Sequence, residues 1–510
     1  MNRNASTMSM LYSLCNDTQS RSVVQLSLNG LYPYHYSGLS KSISALSFYK
    51  DKDTKEVASS TVEAEQVLQE KLYKEILNQH KDTPYWLLNT DVTPIYREHS
   101  ACLLDRNFVK KNNVIKRKNG AVIGIGYEVS TVSLNLRREN GGMNWNPPLS
   151  MLRVDSSANS VRFGAQQVRG LLEKSKLFED NDKLLVNALD SGYFSITYLS
   201  ELSESVTDYD KEEVTNTDSD SSSNLSNLVS LIRVPSNRVV YQQIPYQADC
   251  NQVDGRSGAK LKYGEKMKLN DVTTHWEADT TKDFDWTSAK GTTYKVVTQC
   301  WEDMVIRGEN ERSTYDKPFR LVKIELVHPR TGEAIYKRPM WIAVFGKRRK
   351  ELTLPQIFEG YKNRFDIEHF FSFGKKKLLL NNYLTSEVEH FDNWLLMVQL
   401  SYWMLYSARS LGKVQYHPWE KYNYSKTEQD NTKQDSTEQD STEQTPTILS
   451  PIQTKRGFDR IISEFGMTPK TPKPRNNSSG RKKNDCPGKR PVHPVRKKAE
   501  YRAVKAANSS

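Results

Sequence analysis

The chain has 510 residues, 36% of them hydrophobic, and its 73 Lys and Arg against 61 Asp and Glu give a net charge of +12. That length suits about three domains, and a mean hydropathy of −0.71 predicts that part of the chain lies outside any packed core. The five cysteines (Cys15, Cys102, Cys250, Cys300, Cys486) are odd in number, widely spaced and without a C-x-x-C pair, which argues against a disulfide scaffold or structural zinc site and suits a reducing cytosol.

The start of the chain is polar and has no sustained apolar region of the secretory kind. Residues 1–80 read as a helical region, with helix formers at near-helical apolar spacing from Thr61 to Asn78. Tyr85 to Thr90 is a short apolar run suited to a buried strand, with Asp91 at its end. Residues 120–136 read as a strand rich in β-branched residues, and the Gly124-x-Gly126 pair inside it predicts a bulge rather than a nucleotide loop. Gly164 to Leu177 suits a helix, Lys183 to Leu189 a buried strand ending at Asp190, and Tyr193 to Leu202 another helix. The Ser/Asp-rich stretch 203–227 reads as a disordered loop, and Leu228 to Val234 restores a strand.

Residues 235–350 are strand-like and hold Trp276, Trp286 and Trp301. A long helix is predicted from Pro355 to Lys377, opened by Thr353, and a second from Glu387 to Leu411. The latter contains the most apolar run, Trp394 to Tyr406, which is too short and polar to cross a bilayer, so no membrane partner is expected. Residues 416–455 form a low-complexity linker whose five-residue polar repeat at 426–445 cannot build a core. From Pro451 onward there are 16 Lys and Arg against 4 Asp and Glu, whereas the other 450 residues hold 57 of each sign. A basic tail, 456–510, on a neutral body points to a polyanionic partner, though it also suits a solubilising tail.

Tyr361, Arg364, Glu368 and Lys375 stand at offsets 0, 3, 7 and 14 on the predicted helix, which on a straight α-helix places them within an arc of about 60°. A mixed-charge stripe of this kind also describes a solvated face with i,i+4 ion pairs. Asp91 and Asp190 each close a predicted buried strand, where a carboxylate projects into a crevice or simply opens a turn. Three carboxylates in the order strand, strand, helix offer oxygen ligands for two hard divalent cations.

The string Y-x2-R-x3-E-x6-K, present as Tyr361, Arg364, Glu368 and Lys375, resembles the signature of the IS-four-like branch of DDE transposases from bacterial insertion sequences. Asp91 in LLNTDVTPIYREHS and Asp190 in LDSGYFSITYL look like the segments that carry the family's first and second catalytic aspartates. The resemblance covers roughly residues 80–415. It implies an α/β fold with an RNase H-like core, a mixed sheet flanked by helices. Here the core would span 81–234 and 351–415, interrupted by a β-rich insertion at 235–350, within the 177 residues between Asp190 and Glu368. It implies that Asp91, Asp190 and Glu368 are catalytic and bind two Mg²⁺ ions, replaceable by Mn²⁺. It further implies that Tyr361, Arg364 and Lys375 contact DNA, with Trp276 as the candidate for base stacking. The expected partner is double-stranded DNA, the element's inverted ends and its target, held by a homodimer in the bacterial cytoplasm at the nucleoid. The 1–80 region would then be a candidate for end binding. The competing expectation is a transposase-derived DNA-binding protein that no longer cuts.

Overall fold

The computed structural model describes residues 4–46, 82–111, 123–136, 145–174, 182–203, 223–244, 263–288, 291–308, 316–412, 448–475 and 490–495, with isolated positions between them. Most of the predicted helix at 61–78, most of the loop at 203–227, the repeat at 426–445 and most of the tail beyond 475 lie outside the described residues.

Helices α1 (Asn4–Asn16) and α2 (Tyr36–Ser44), with a single helical turn at Val23–Leu26 between them, precede the sheet. Strands β1 (Tyr85–Tyr96), β2 (Asn107–Lys110), β3 (Ile123–Asn135) and β4 (Pro148–Val154) follow, then α3 (Ser160–Lys174), β5 (Leu184–Leu189), α4 (Ile196–Ser203) and β6 (Leu228–Val234). Next come β7 (Val239–Gln242), β8 (Lys266–Lys268), β9 (Thr280–Thr287), β10 (Thr293–Val305), β11 (Phe319–Val327) and β12 (Met340–Phe345). Helices α5 (Leu354–Lys362), α6 (Asp366–Lys377), α7 (Val388–Ser407) and α8 (Pro451–Glu464) follow the last strand.

All twelve strands join one mixed sheet, in the order β2-β3-β1-β5-β6-β12-β11-β10-β7-β8, with β4 on the outer edge of β3 and β9 on that of β10. β1 pairs antiparallel with β3 and parallel with β5, and β5 pairs parallel with β6. The centre is therefore parallel and both wings are antiparallel. β5 is buried at every position, as expected for a parallel strand covered on both faces. α5 packs on one face of the sheet through Leu354, Ile357 and Phe358, and α3 packs on β3, β1 and β4. The β-rich stretch at 235–350 does form strands, and β12 pairs with β6, so these strands extend the central sheet at its edge.

Four expectations change. Asp91 does not end its strand: β1 continues to Tyr96, because β3 supplies antiparallel partners as far as Tyr96↔Gly126 after the parallel pairing with β5 stops. The Gly124-Gly126 pair makes no bulge; a Cβ on Gly126 would lie 2.0 Å from the Ile95 carbonyl oxygen, so glycine is there for the close approach of β1. The long helix at 355–377 is broken by a 3₁₀ turn at Asn363–Phe365. The basic tail expected from residue 456 instead begins within a packed helix, α8, started by a capping box of Ser450 and Gln453 with Pro451 in the first turn. Phe458, Ile461 and Ile462 of α8 are buried among α1 and α7. The Lys455 ammonium donates to the carbonyls of Leu14 and Cys15 at the end of α1. Beyond α8 the chain lies along the N-terminal region, with the amides of Lys470 and Lys473 donating to Gly30 and Leu28. Residues 4–46 and α8 thus share one helical layer with α7, whose buried Trp394, Tyr402 and Trp403 fit the predicted core helix. Among the described residues, no helix is long and apolar enough to cross a membrane.

Candidate active site

Side-chain alternation decides which residues of the central strands share a face. Tyr85, Leu87, Asn89 and Asp91 of β1 point toward α5, as do Leu184, Val186 and Ala188 of β5 with Asp190 just past its end, and Val229, Leu231 and Arg233 of β6. The register pairs Thr90 with Leu189 and Leu189 with Ile232. One residue beyond, Asp91, Asp190 and Arg233 form a row across three adjacent parallel strands, on one face and at one end. Neighbouring strands are about 4.8 Å apart, so the two aspartates are adjacent. Asp190 precedes a 3₁₀ turn at Ser191–Tyr193, and its carboxylate does not cap that turn.

The break between α5 and α6 brings the third carboxylate over this row. The Asn363 carbonyl takes the 3₁₀ bond from the Asp366 amide and accepts in addition from the side-chain amides of Asn135 (2.8 Å) and Asn89 (3.4 Å). Asn135 also donates to the Asp366 carboxylate at 3.1 Å, and Asn89 to Asn146 at 3.2 Å. These strand amides fix the junction that carries Arg364. Its guanidinium, only 6% exposed, lies 3.7 Å from the Asp91 carboxylate and 3.5 Å from that of Glu368. It joins β1 to α6 across the site and faces the exposed Phe365 ring at 4.7 Å.

The electrostatics follow from burial and crowding. Asp91 is pushed up to about 6, chiefly by loss of water, with Asp190 and Glu368 adding repulsion; the Val92 amide and Arg364 oppose this. Burial works against the Arg364 charge, but Tyr361, Asp91, Asp190 and Glu368 outweigh it and raise its pKa. Burial lowers Arg233, although Tyr361 and Asp190 support its charge.

The structure thus brings Asp91, Asp190, Glu368 and Arg364 together. Lys375 and Tyr361 are placed differently from a single exposed stripe, because the 3₁₀ turn rotates α6 relative to α5. Tyr361 is 3% exposed and belongs to the core under α5, with burial raising its pKa. The Lys375 ammonium is half-enclosed and donates to Thr93 Oγ1 (2.6 Å) and the Pro94 carbonyl (3.1 Å), and burial lowers its pKa to about 8. Trp276 is half-buried against Trp301, whose indole N–H donates to the Trp276 carbonyl at 3.1 Å. Its contacts among the described residues lie in the strand-rich wing, with Trp301, and not with the carboxylate row. Sequence reasoning missed Asn89, Asn135, Asp366 and Arg233. The signal for the amides was polar residues interrupting buried strands, and for Arg233 it was a charge on an otherwise apolar run.

The donor chemistry suits Mg²⁺, which takes oxygen ligands and needs only one or two carboxylates beside its waters. As placed, no three His, Cys, Asp or Glu side chains among the described residues form a ready metal-binding group; the carboxylates are arranged around the Arg364 guanidinium. The chain matches no protein-family model, and no curated protein matches it.

Proposed function

We propose that this protein is a DDE transposase, which cleaves DNA at the ends of an insertion sequence and joins them to a target. The observation that carries the reading is the adjacency of Asp91 and Asp190 on neighbouring parallel strands, with Glu368 bridged to Asp91 by Arg364. An RNase H-like core is part of the same proposal. Its support is a central strand, β1, with an antiparallel neighbour on one side and two parallel strands, each followed or preceded by a helix, on the other. The strands of 239–345 would be the insertion between the second aspartate and the glutamate.

Asp91, Asp190 and Glu368 would hold two Mg²⁺ ions, or Mn²⁺ in their place, and the bound ions supply activation of a water or DNA 3′-OH and stabilisation of the leaving oxygen. The raised pKa of Asp91 marks a desolvated carboxylate that gains from a nearby cation. Arg364 supplies fixed positive charge between Asp91 and Glu368. Tyr361 and the amides of Asn89 and Asn135 keep the junction beneath it in place. Lys375 holds β1 beyond Asp91, and its release toward a DNA phosphate would require exchange of its bonds to Thr93 and Pro94. Double-stranded DNA is the proposed partner, bound by a homodimer that holds two ends together.

The test is Mg²⁺-dependent cleavage of DNA carrying the sequences that flank the gene, with wild type and Asp190→Ala side by side. Specific nicks exposing 3′-OH groups, lost in a variant with wild-type melting behaviour, are expected. Binding without cleavage by well-folded wild type in Mg²⁺ and Mn²⁺ would instead mark a DNA-binding descendant of a transposase.

A further inference from the structure

Asp190 is followed at once by the 3₁₀ turn Ser191–Tyr193, in which the Tyr193 amide donates to the Asp190 carbonyl at 3.0 Å. The turn carries the Tyr193 ring to the face of the sheet opposite α5. There it joins the cluster of Leu189, Tyr198 and Ile232, whose strand members alternate with the residues that point toward α5. The ring meets Tyr198 edge-on, with centroids 5.5 Å apart. It also lies against Gly164 of α3, where a Cβ would stand 2.9 Å from the hydroxyl oxygen. Glycine at 164 therefore leaves the room that the phenol fills.

Tyr193 and Tyr198 are both buried, but their hydroxyls are satisfied differently. That of Tyr198 accepts from the Asn187 amide and shares a hydrogen bond with Ser230, each at 3.2 Å. The Tyr193 hydroxyl has no hydrogen-bond partner among the described residues, although the residue is only 4% exposed. A buried hydroxyl left unpaired is destabilising, so phenylalanine would suit this arrangement better. Burial raises the Tyr193 pKa well above its ordinary value, and Asp91, Tyr198, Glu128 and Asp190 raise it further, Asp91 most among them. The hydroxyl therefore keeps its proton and stands as a donor among anions. Asp91, meanwhile, accepts from the Val92 amide at 2.8 Å and lies 3.7 Å from Arg364, which reaches it from the α5 side.

We propose that Tyr193 is a positioning residue for Asp91, its hydroxyl donating a hydrogen bond to that carboxylate when the carboxylate leaves Arg364 to hold a divalent cation. This rests on the transposase reading of the site. Arg364 and a cation compete for the same carboxylate oxygens, so Asp91 needs two orientations, and the one described is the orientation toward the guanidinium. The phenol comes from the opposite face of the sheet to Arg364 and is unpaired in that orientation. Hydrogen bonds to a ligating side chain fix its orientation, and their loss typically weakens metal binding or activity about ten- to a hundredfold. Tyr193 would thus hold Asp91 in place without touching the cation or the DNA.

The experiment is a Mn²⁺ titration of wild type and Tyr193→Phe, read both as the melting temperature of the protein alone and as the cleavage rate of a duplex carrying one flanking end. The substitution removes the hydroxyl and keeps the ring. Without metal, Tyr193→Phe is expected to melt at or slightly above the wild-type temperature, because no bond is lost. Its Mn²⁺ midpoint should rise about tenfold in both readouts, while KM for the duplex at saturating Mn²⁺ stays at the wild-type value. A wild-type midpoint in Tyr193→Phe overturns the proposal. So does a lower melting temperature without metal, which would show that the hydroxyl is already bonded in the resting protein and serves the fold. A wild type that neither gains stability from Mn²⁺ nor cleaves the duplex overturns the transposase reading itself, and the proposal with it.

Discussion

The two halves of the sheet are built from different materials. On β10, β11 and β12 the buried residues are chiefly Val296, Trp301, Leu321, Val322, Trp341, Ile342 and Val344, and the wing is held by apolar packing on both faces. On β1, β3 and β5 the buried set includes Asn89, Thr90, Ser130, Thr131, Ser133, Asn135 and Asn187, in strands of comparable burial. A buried amide stabilises little unless it is bonded, and it costs more than an apolar group when it is not. The polar half is therefore the less economical way to make a sheet, and two of its amides, Asn89 and Asn135, meet at Asn363, in the turn that carries Arg364 and leads into the helix of Glu368. The apolar wing supports the fold, whereas the polar centre fixes the geometry of a site.

This contrast breaks if truncations in the two halves have the same consequences. Trp341→Ala removes a fully buried indole from the wing and should cost about 3–5 kcal/mol, measured by denaturant unfolding, while cleavage by the folded fraction stays within a few-fold of wild type. Asn135→Ala should cost only about 1–3 kcal/mol, yet cleavage should fall about a hundredfold because the carboxylate over the row loses its support; equal losses of stability and rate in the two variants would remove the distinction. Asp91→Asn sharpens it. Folded Asp91 is raised to about 6, above its ordinary range near 3.8, so between those values the folded protein keeps a proton that the unfolded chain has released. Stability falls as pH rises through that window. The asparagine variant should therefore be more stable than wild type by about 1–2 kcal/mol above pH 6, lose that gain by pH 4 and lose cleavage altogether. A variant less stable at pH 7 than wild type would show that the buried charge is already well compensated.

Much of this arrangement was legible in the sequence. β5 and β6 could be read nearly to the residue, because an unbroken apolar run bounded by polar residues has few other meanings. The three carboxylates were legible from their order and spacing. The break at Asn363 was not: nothing in YKNRFDIEHFF forbids a continuous helix, and the turn is stabilised by amides 228 and 274 residues away in the chain. The extension of β1 past Asp91 was hidden for the same reason, since Pro94 argues against a strand interior and only the long partner β3 overrides it. α8 was obscured by composition. Its Lys and Arg made it look like the start of a basic tail, although Phe458, Ile461 and Ile462 are spaced to form one apolar face.

The position of α8 also sets an order of events during synthesis. α1 leaves the ribosome with Met10, Leu11 and Leu14 bare, and part of what covers that layer, α8, lies more than 400 residues further along the chain. At translation rates of roughly 5–20 residues per second, that is a wait of tens of seconds. The central sheet can form in that interval, but the layer that ties the front of the molecule to α7 cannot close until α8 has emerged. Assembly of the helical layer is thus timed by the emergence of α8, and a ribosome that stops before Pro451 releases a chain with its apolar N-terminal surface incompletely covered.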